Sequence, residues 1–242
     1  MKGQTLIIAE AGVNYNNFEE AQRLVEMASF CGANAVKFQV FWGIGDKLAK
    51  YELSKDQWKQ LHNLAHYHAM GFMATPHWGS PLTFYKDEDY EVIDFVDSLV
   101  SIHKIASPYL TNEKYCKYIA SKGKPILLST GSIIHKDGMA TMAEIKLALS
   151  WLKDSDVTLM HCVSKYPSKN PHYERIIKLK KFGKPVGLSD HSLNKMILCF
   201  PVVEKHFKLN NNCIDSKVSL EPNDFREMVR NIRNYQLAFK TK

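Results

Sequence analysis

Eight short apolar runs punctuate the chain, and most end in a polar or ionisable residue. They are LIIAE (6–10), AVKFQ (35–39), FMATPH (72–77), IHKIAS (102–107), PILLST (125–130), VTLMHCVS (157–164), PVGLSDH (185–191) and PVVEKH (201–206). Runs of this length read as buried strands. Between them lie segments with helical spacing. Phe18, Ala21, Leu24, Val25 and Ala28 form one stripe within 17–30, which Cys31-Gly32 ends. A second helix is predicted from Leu53 to Met70, with Ser54 as N-cap and Gly71 as its stop. Others are predicted over 112–121, 140–152, 172–182 and 222–239.

Strand and helix alternating eight times predict an α/β protein, a single (β/α)8 TIM barrel spanning 1–242 with no further domain. Two irregularities are expected. Residues 78–90 (WGSPLTFYKDEDY) read as an extra loop, and the seventh helix is shortened, because only SLNKMILCF separates the last two strands.

Strand parity then says what the barrel encloses, since successive residues face opposite sides. With Val36, Phe38, Ile105 and Val203 turned toward the helices, Lys37, Gln39, Lys104, Glu204 and His206 point inward. Core packing alone would not select such residues, because an unpaired buried charge is costly.

Composition adds limits. A chain of 242 residues can bury a full core. Its five cysteines are widely spaced with no CxxC pair, so they read as reduced thiols of a cytoplasmic protein. The opening MKGQTLIIAEAG does not read as a signal peptide, and no run is long enough to span a membrane. The net charge of +7 raises nucleic-acid binding. The lysines are dispersed, however, and fit a solvated surface or an anionic small substrate.

The candidate chemistry falls into three groups. Lys37 and Lys104, with the hydroxyls of Thr75, Ser107, Ser129 and Ser189, suit a phosphate; snorkelling surface lysines are the plainer alternative. His191 and His206 end consecutive strands and suit a divalent metal such as Mn2+, Fe2+ or Zn2+. His161 is a third candidate, and His62 and His66 have i, i+4 metal spacing on a helix outside the barrel. Glu10 is a candidate general base, and Asp190 a residue that orients His191 or a substrate, with structural salt bridges as the competing reading of both. Taken by themselves, these groups allow a Schiff-base aldolase using Lys37 or Lys104, or a barrel that binds a ligand without turnover.

The segments IIAEAGVNYNNFEEAQRLVEMASFCGANAVKFQVF, GFMATPH, HKIASPYLTN, GKPILLSTGS, HCVSKYPS, GLSDHS, VEKHFKL and SLEPNDFREMVRNIR, in this order, resemble the sialic acid (N-acetylneuraminate) synthase family. That family includes legionaminic and pseudaminic acid synthases and spore-coat synthases. The resemblance implies a TIM barrel that condenses phosphoenolpyruvate with an N-acylated hexose, giving a nine-carbon 2-keto acid and phosphate. It implies that Lys37, Gln39, Thr75, Lys104, Ser107, Ser129 and Ser189 hold phosphoenolpyruvate. His191 and His206 would bind Mn2+ or Mg2+, Glu10 would handle water or a proton, and Tyr166 and Asp215 would line the sugar site. Tyr109 stands where the family has a substrate-contacting glutamate. The family's C-terminal antifreeze-like domain has no counterpart in these motifs, so a homodimer or a separate antifreeze-like protein is the implied partner, with no role for nucleic acid or membrane.

Overall fold

The computed structural model describes residues 4–41, 51–77, 88–195 and 200–240. All eight runs become strands: β1 (Leu6–Gly12), β2 (Ala35–Phe41), β3 (Gly71–His77), β4 (His103–Ile105), β5 (Ile126–Ser129), β6 (Val157–His161), β7 (Val186–Asp190) and β8 (Val202–His206). They pair in parallel in the order β3-β2-β1-β8-β7-β6-β5-β4. The result is a nearly closed (β/α)8 barrel. Among the described residues no ladder joins β3 to β4, which leaves one seam in the cylinder.

Helices cover the outside: α1 (Phe18–Phe30), α2 (Lys55–Tyr67), α3 (Glu88–Leu99), α4 (Glu113–Ser121), α5 (Met142–Trp151), α6 (Arg175–Lys180) and α7 (Pro222–Lys240). Local chemistry sets their ends. Asn17 caps α1 by accepting from the Glu20 N–H, and Gly32 leaves it at φ +86°. Ser54 and Gln57 close a capping box on α2. That helix stops earlier than the sequence suggests. Its chain reverses at Ala69, in the left-handed region at φ 55°, and Gly71 already belongs to β3. The segment read as a loop over 78–90 ends in a helix instead. Glu88–Leu99 forms α3, seated by Val92, Ile93 and Val96, while 78–87 lie outside the described residues. The helix expected over 172–182 contracts to Arg175–Lys180. Of the short helix expected between β7 and β8, residues 196–199 lie outside the described residues, and 191–195 are not helical.

The core has two compartments. The larger lies between strands and helices and contains Val36, Phe38, Ile105 and Val203, as parity requires. The smaller plugs the barrel interior with Ile8, Ala35, Met73, Leu127, Met160 and Val202. Gly187 of β7 faces this plug; a Cβ there would lie 2.7 Å from Met160 Sδ. Two residues further along most of the strands, the inward positions turn polar, so the apolar plug is the floor on which the polar layer stands.

Candidate functional site

Register places the polar groups side by side. Glu10 of β1 is level with Lys37 of β2 on one flank and His206 of β8 on the other, and Ser189 of β7 is level with Glu204 of β8. Side chains at the same height on neighbouring strands touch laterally, so a row of charges forms at the C-terminal mouth.

The row is a continuous ion network. Lys37 Nζ lies 2.6 Å from Glu10 Oε2 and 3.7 Å from Glu204 Oε2. Lys104 Nζ donates to both oxygens of Glu204, at 2.7 and 2.8 Å. Ser189 Oγ donates to Glu204 Oε1 at 2.8 Å, and Lys37 Nζ donates to Thr75 Oγ1 at 3.4 Å. The four charged side chains are all nearly inaccessible to solvent. Burial alone would raise Glu204, but Lys104 and Lys37 hold it far below the usual carboxylate range. Glu10 has one lysine, and there burial wins, so its carboxyl is pushed up despite Lys37. Burial would depress Lys37, yet Glu10 and Glu204 raise it, which keeps the ammonium charged. Two lysines and two carboxyl groups thus interlock in one buried cluster.

The imidazoles stand beside it. His191 Nδ1 donates to the Val163 carbonyl at 2.7 Å, so its Nε2 keeps a lone pair. That lone pair accepts from the Tyr166 hydroxyl at 3.2 Å, with the two rings stacked at 4.4 Å. Burial, assisted by the nearby His206, pushes His191 down to about 4, so it is neutral as a metal ligand must be. The His206 ring lies 5.3 Å from that of His191, and its Nδ1 is 3.3 Å from Asp215 Oδ2. Among the described residues no three histidine, cysteine or acidic side chains converge as a metal cage. The fit is therefore to an ion held by two imidazoles, with its other positions open to water or a substrate oxygen.

These groups surround a cavity of about 120 Å³. Eleven of the thirteen residues singled out by the family resemblance line it: Glu10, Lys37, Gln39, Thr75, Lys104, Ser107, Ser129, Tyr166, Ser189, His191 and His206. Asp215 sits just behind His206. Tyr109 does not reach the cavity. The 3-10 turn at Ser107–Tyr109 turns its ring into the core, where it is fully buried and stacked on Tyr115 at 4.6 Å. Where the family carries a substrate-contacting glutamate, this chain thus places a core aromatic rather than a residue of the expected substrate site.

Two other candidates face away from the barrel interior. His161 points outward, its Nε2 bonded to the Pro171 carbonyl at 2.7 Å, because its parity is opposite to that of Cys162. Asp190 forms a buried ion pair with Lys205 behind the sheet, so the structural reading holds for it. Sequence reasoning gave Glu204 an inward direction but no role, although it shares parity with His206 and is the hub of the network.

Cys162 and Ser164 also line the cavity, beside Gly131. A Cβ on Gly131 would lie 2.2 Å from Ser164 Oγ, 2.7 Å from Ser107 Oγ and 2.9 Å from Cys162 Sγ. Only glycine lets the loop after β5 approach so closely. Buried Arg175 pins that loop by donating to the Thr130 and Ala140 carbonyls.

The chain resembles known proteins over nearly its whole length. The NeuB family model matches residues 24–242. An N,N'-diacetyllegionaminic acid synthase of Campylobacter jejuni is 35% identical, over 97% of this chain and 77% of that protein. A human N-acetylneuraminate-9-phosphate synthase is 26% identical, over 96% and 70%. The crystal structure of a sialic acid synthetase from Leptospira borgpetersenii, in complex with citrate, superimposes with a TM-score of 0.83 at 26% identity, covering 98% of this chain and 85% of that one.

Proposed function

Because this chain belongs to the NeuB family, we propose that it condenses phosphoenolpyruvate with an N-acylated hexose related to N-acetylmannosamine, forming a nine-carbon 2-keto acid and releasing phosphate. The observation that carries this reading is the buried cluster of Lys37, Lys104, Glu10 and Glu204, which lines one cavity together with Thr75, Ser107, Ser129 and Ser189. Buried ammonium groups with short hydroxyl donors suit a phosphorylated carboxylic acid. Relatives named as legionaminic, pseudaminic and N-acetylneuraminate-9-phosphate synthases support the product class.

Lys37 and Lys104 exchange part of their carboxylate partnership for the phosphate and carboxylate of the substrate, and the serines and Thr75 donate to the remaining oxygens. Gln39, level with Thr75 in the β2–β3 ladder, borders the same space. This holds the enol carbon in one orientation, so positioning and charge complementarity carry much of the rate. His191 and His206 would hold Mn2+ or Mg2+, which supplies Lewis-acid polarisation of the sugar aldehyde. Carbon–carbon bond formation leaves positive charge at C2, and water adds there. Glu10, a carboxyl with elevated proton affinity at the edge of the cavity, accepts the proton of that water. Loss of phosphate from the tetrahedral adduct completes the reaction. Tyr166 and Asp215 flank the histidines on the side left for the sugar.

A Schiff-base aldolase needs a lysine that is easily deprotonated, whereas the carboxylates around Lys37 stabilise its charge. The test is to incubate the protein with Mn2+, phosphoenolpyruvate and a panel of N-acyl hexosamines, measuring phosphate and 2-keto acid together. Equal yields of the two support the reading. Phosphoenolpyruvate binding with no phosphate release from any sugar overturns it.

A further inference from the structure

The histidine spacing on α2 is not used by the barrel chemistry, and its geometry is that of a chelate. His62 and His66 lie one turn apart on a helix anchored by buried Trp58, Leu61 and Ala65 and closed at its start by the Ser54–Gln57 capping box. Residues four apart share a helix face. The two imidazole centroids are 4.2 Å apart, and His66 is exposed while His62 is half-buried.

The second ring nitrogens decide which atoms are available. His62 Nδ1 is bonded to Asn63 Oδ1 at 3.1 Å, and His66 Nδ1 to the His62 carbonyl at 2.9 Å. A carbonyl accepts, so each Nδ1 carries the proton and each Nε2 keeps its lone pair. An oriented Nδ1–H also raises ligand basicity at Nε2. The edge of Phe72, 5.8 Å away, steadies the His62 ring. The nearby Lys59 ammonium is engaged by Asp56 at 3.4 Å.

We propose that His62 and His66 form a surface site for a first-row transition ion such as Ni2+, Cu2+ or Zn2+, held by the two Nε2 atoms with water completing the shell. Two imidazoles backed only by water favour these borderline ions over Mg2+ and Ca2+, which need oxygen ligands such as a substrate supplies at the barrel mouth. The site is separate from the barrel mouth, so metal counted on the whole protein includes ions that take no part in turnover.

The test is calorimetric titration of the full chain with Ni2+, with Mg2+ as control, on five proteins. These are the unmodified chain, His62→Ala, His66→Gln, His68→Ala and the double variant His191→Ala/His206→Ala. Nickel binding persists in the double variant and in His68→Ala, and weakens at least ~10-fold in His62→Ala and His66→Gln, since losing even a supporting partner costs that much. Broadening of the His62 and His66 ring proton resonances by substoichiometric Cu2+ gives a second readout. Unaltered Ni2+ affinity in His62→Ala and His66→Gln overturns the proposal. So does a loss in His68→Ala as large as theirs.

Discussion

Glu204 grips Lys104 with both carboxylate oxygens, across the barrel from β8 to β4, with both side chains almost wholly buried. Strands with no ladder between them are thereby tied through their side chains alone. Removing one member leaves the other charged and desolvated. Lys104→Met is expected to destabilise the fold by about 3 kcal/mol, a fall in Tm of roughly 6–12 °C for a domain of this size. Lys104→Met combined with Glu204→Met recovers part of that loss, since both charges are gone. Thermal melts of the unmodified chain, Lys104→Met, Glu204→Met and the double variant measure it, and additivity of the single losses would refute the coupling.

His191→Ala separates the anion site from the histidine pair. Phosphoenolpyruvate affinity, measured by calorimetry without metal, is expected to stay within about threefold, since the side chain lies outside the lysine network. Metal-dependent phosphate release with a sugar acceptor is expected to fall by about 10²-fold or more. A parallel loss of both would place His191 in the anion site instead.

Gly131→Ala is expected to harm both folding and binding. The new methyl group forces aside Ser164, Ser107 and Cys162, all on the cavity wall. Overpacking of this kind costs about 1–3 kcal/mol, while phosphoenolpyruvate affinity is expected to fall at least tenfold. A substrate affinity matching the unmodified chain would show that the Ser107 hydroxyl is not used.

Acid sensitivity follows from three histidines that burial depresses: His191, to about 4, together with His103 and His161. In the pH window below the ordinary value near 6.5 the unfolded chain takes up protons that the fold refuses. Stability is therefore full above pH ~6.5 and declines as pH falls, for His191 by ~1.4 kcal/mol per unit toward about pH 4, with His103 and His161 acting in the same direction. For His191 the total is roughly 3 kcal/mol. The raised carboxyl of Glu10 acts with the opposite sign, losing stability as pH rises above its unfolded value. Denaturant titrations from pH 7 to 4.5 on the unmodified chain and on His191→Asn isolate the histidine contribution. Identical slopes would show that His191 is protonated in the fold.

Much of this was legible in the sequence because barrel strands enforce parity. Val36 and Phe38 facing the helices compelled Lys37 and Gln39 to face the cavity, and the same rule placed Lys104, Glu204 and His206. Where no such periodic rule operates, reading failed. Tyr109 follows the strand in a 3-10 turn, whose geometry redirects the side chain into the core. Helix α3 was hidden because acidic residues at its start resembled a solvated loop, although Val92, Ile93 and Val96 carry helical spacing. The hub role of Glu204 depends on which cations reach it from β2 and β4, a property of three-dimensional register that one segment does not encode.

The seam between β3 and β4 separates Thr75 on one bank from Lys104 on the other. Every other pair of adjacent staves is riveted by main-chain hydrogen bonds that must break before the cylinder widens. Among the described residues the two banks share no ladder, so dilation of the mouth on this side breaks no described inter-strand pairing and is opposed by packing and by the salt link that reaches over from β8.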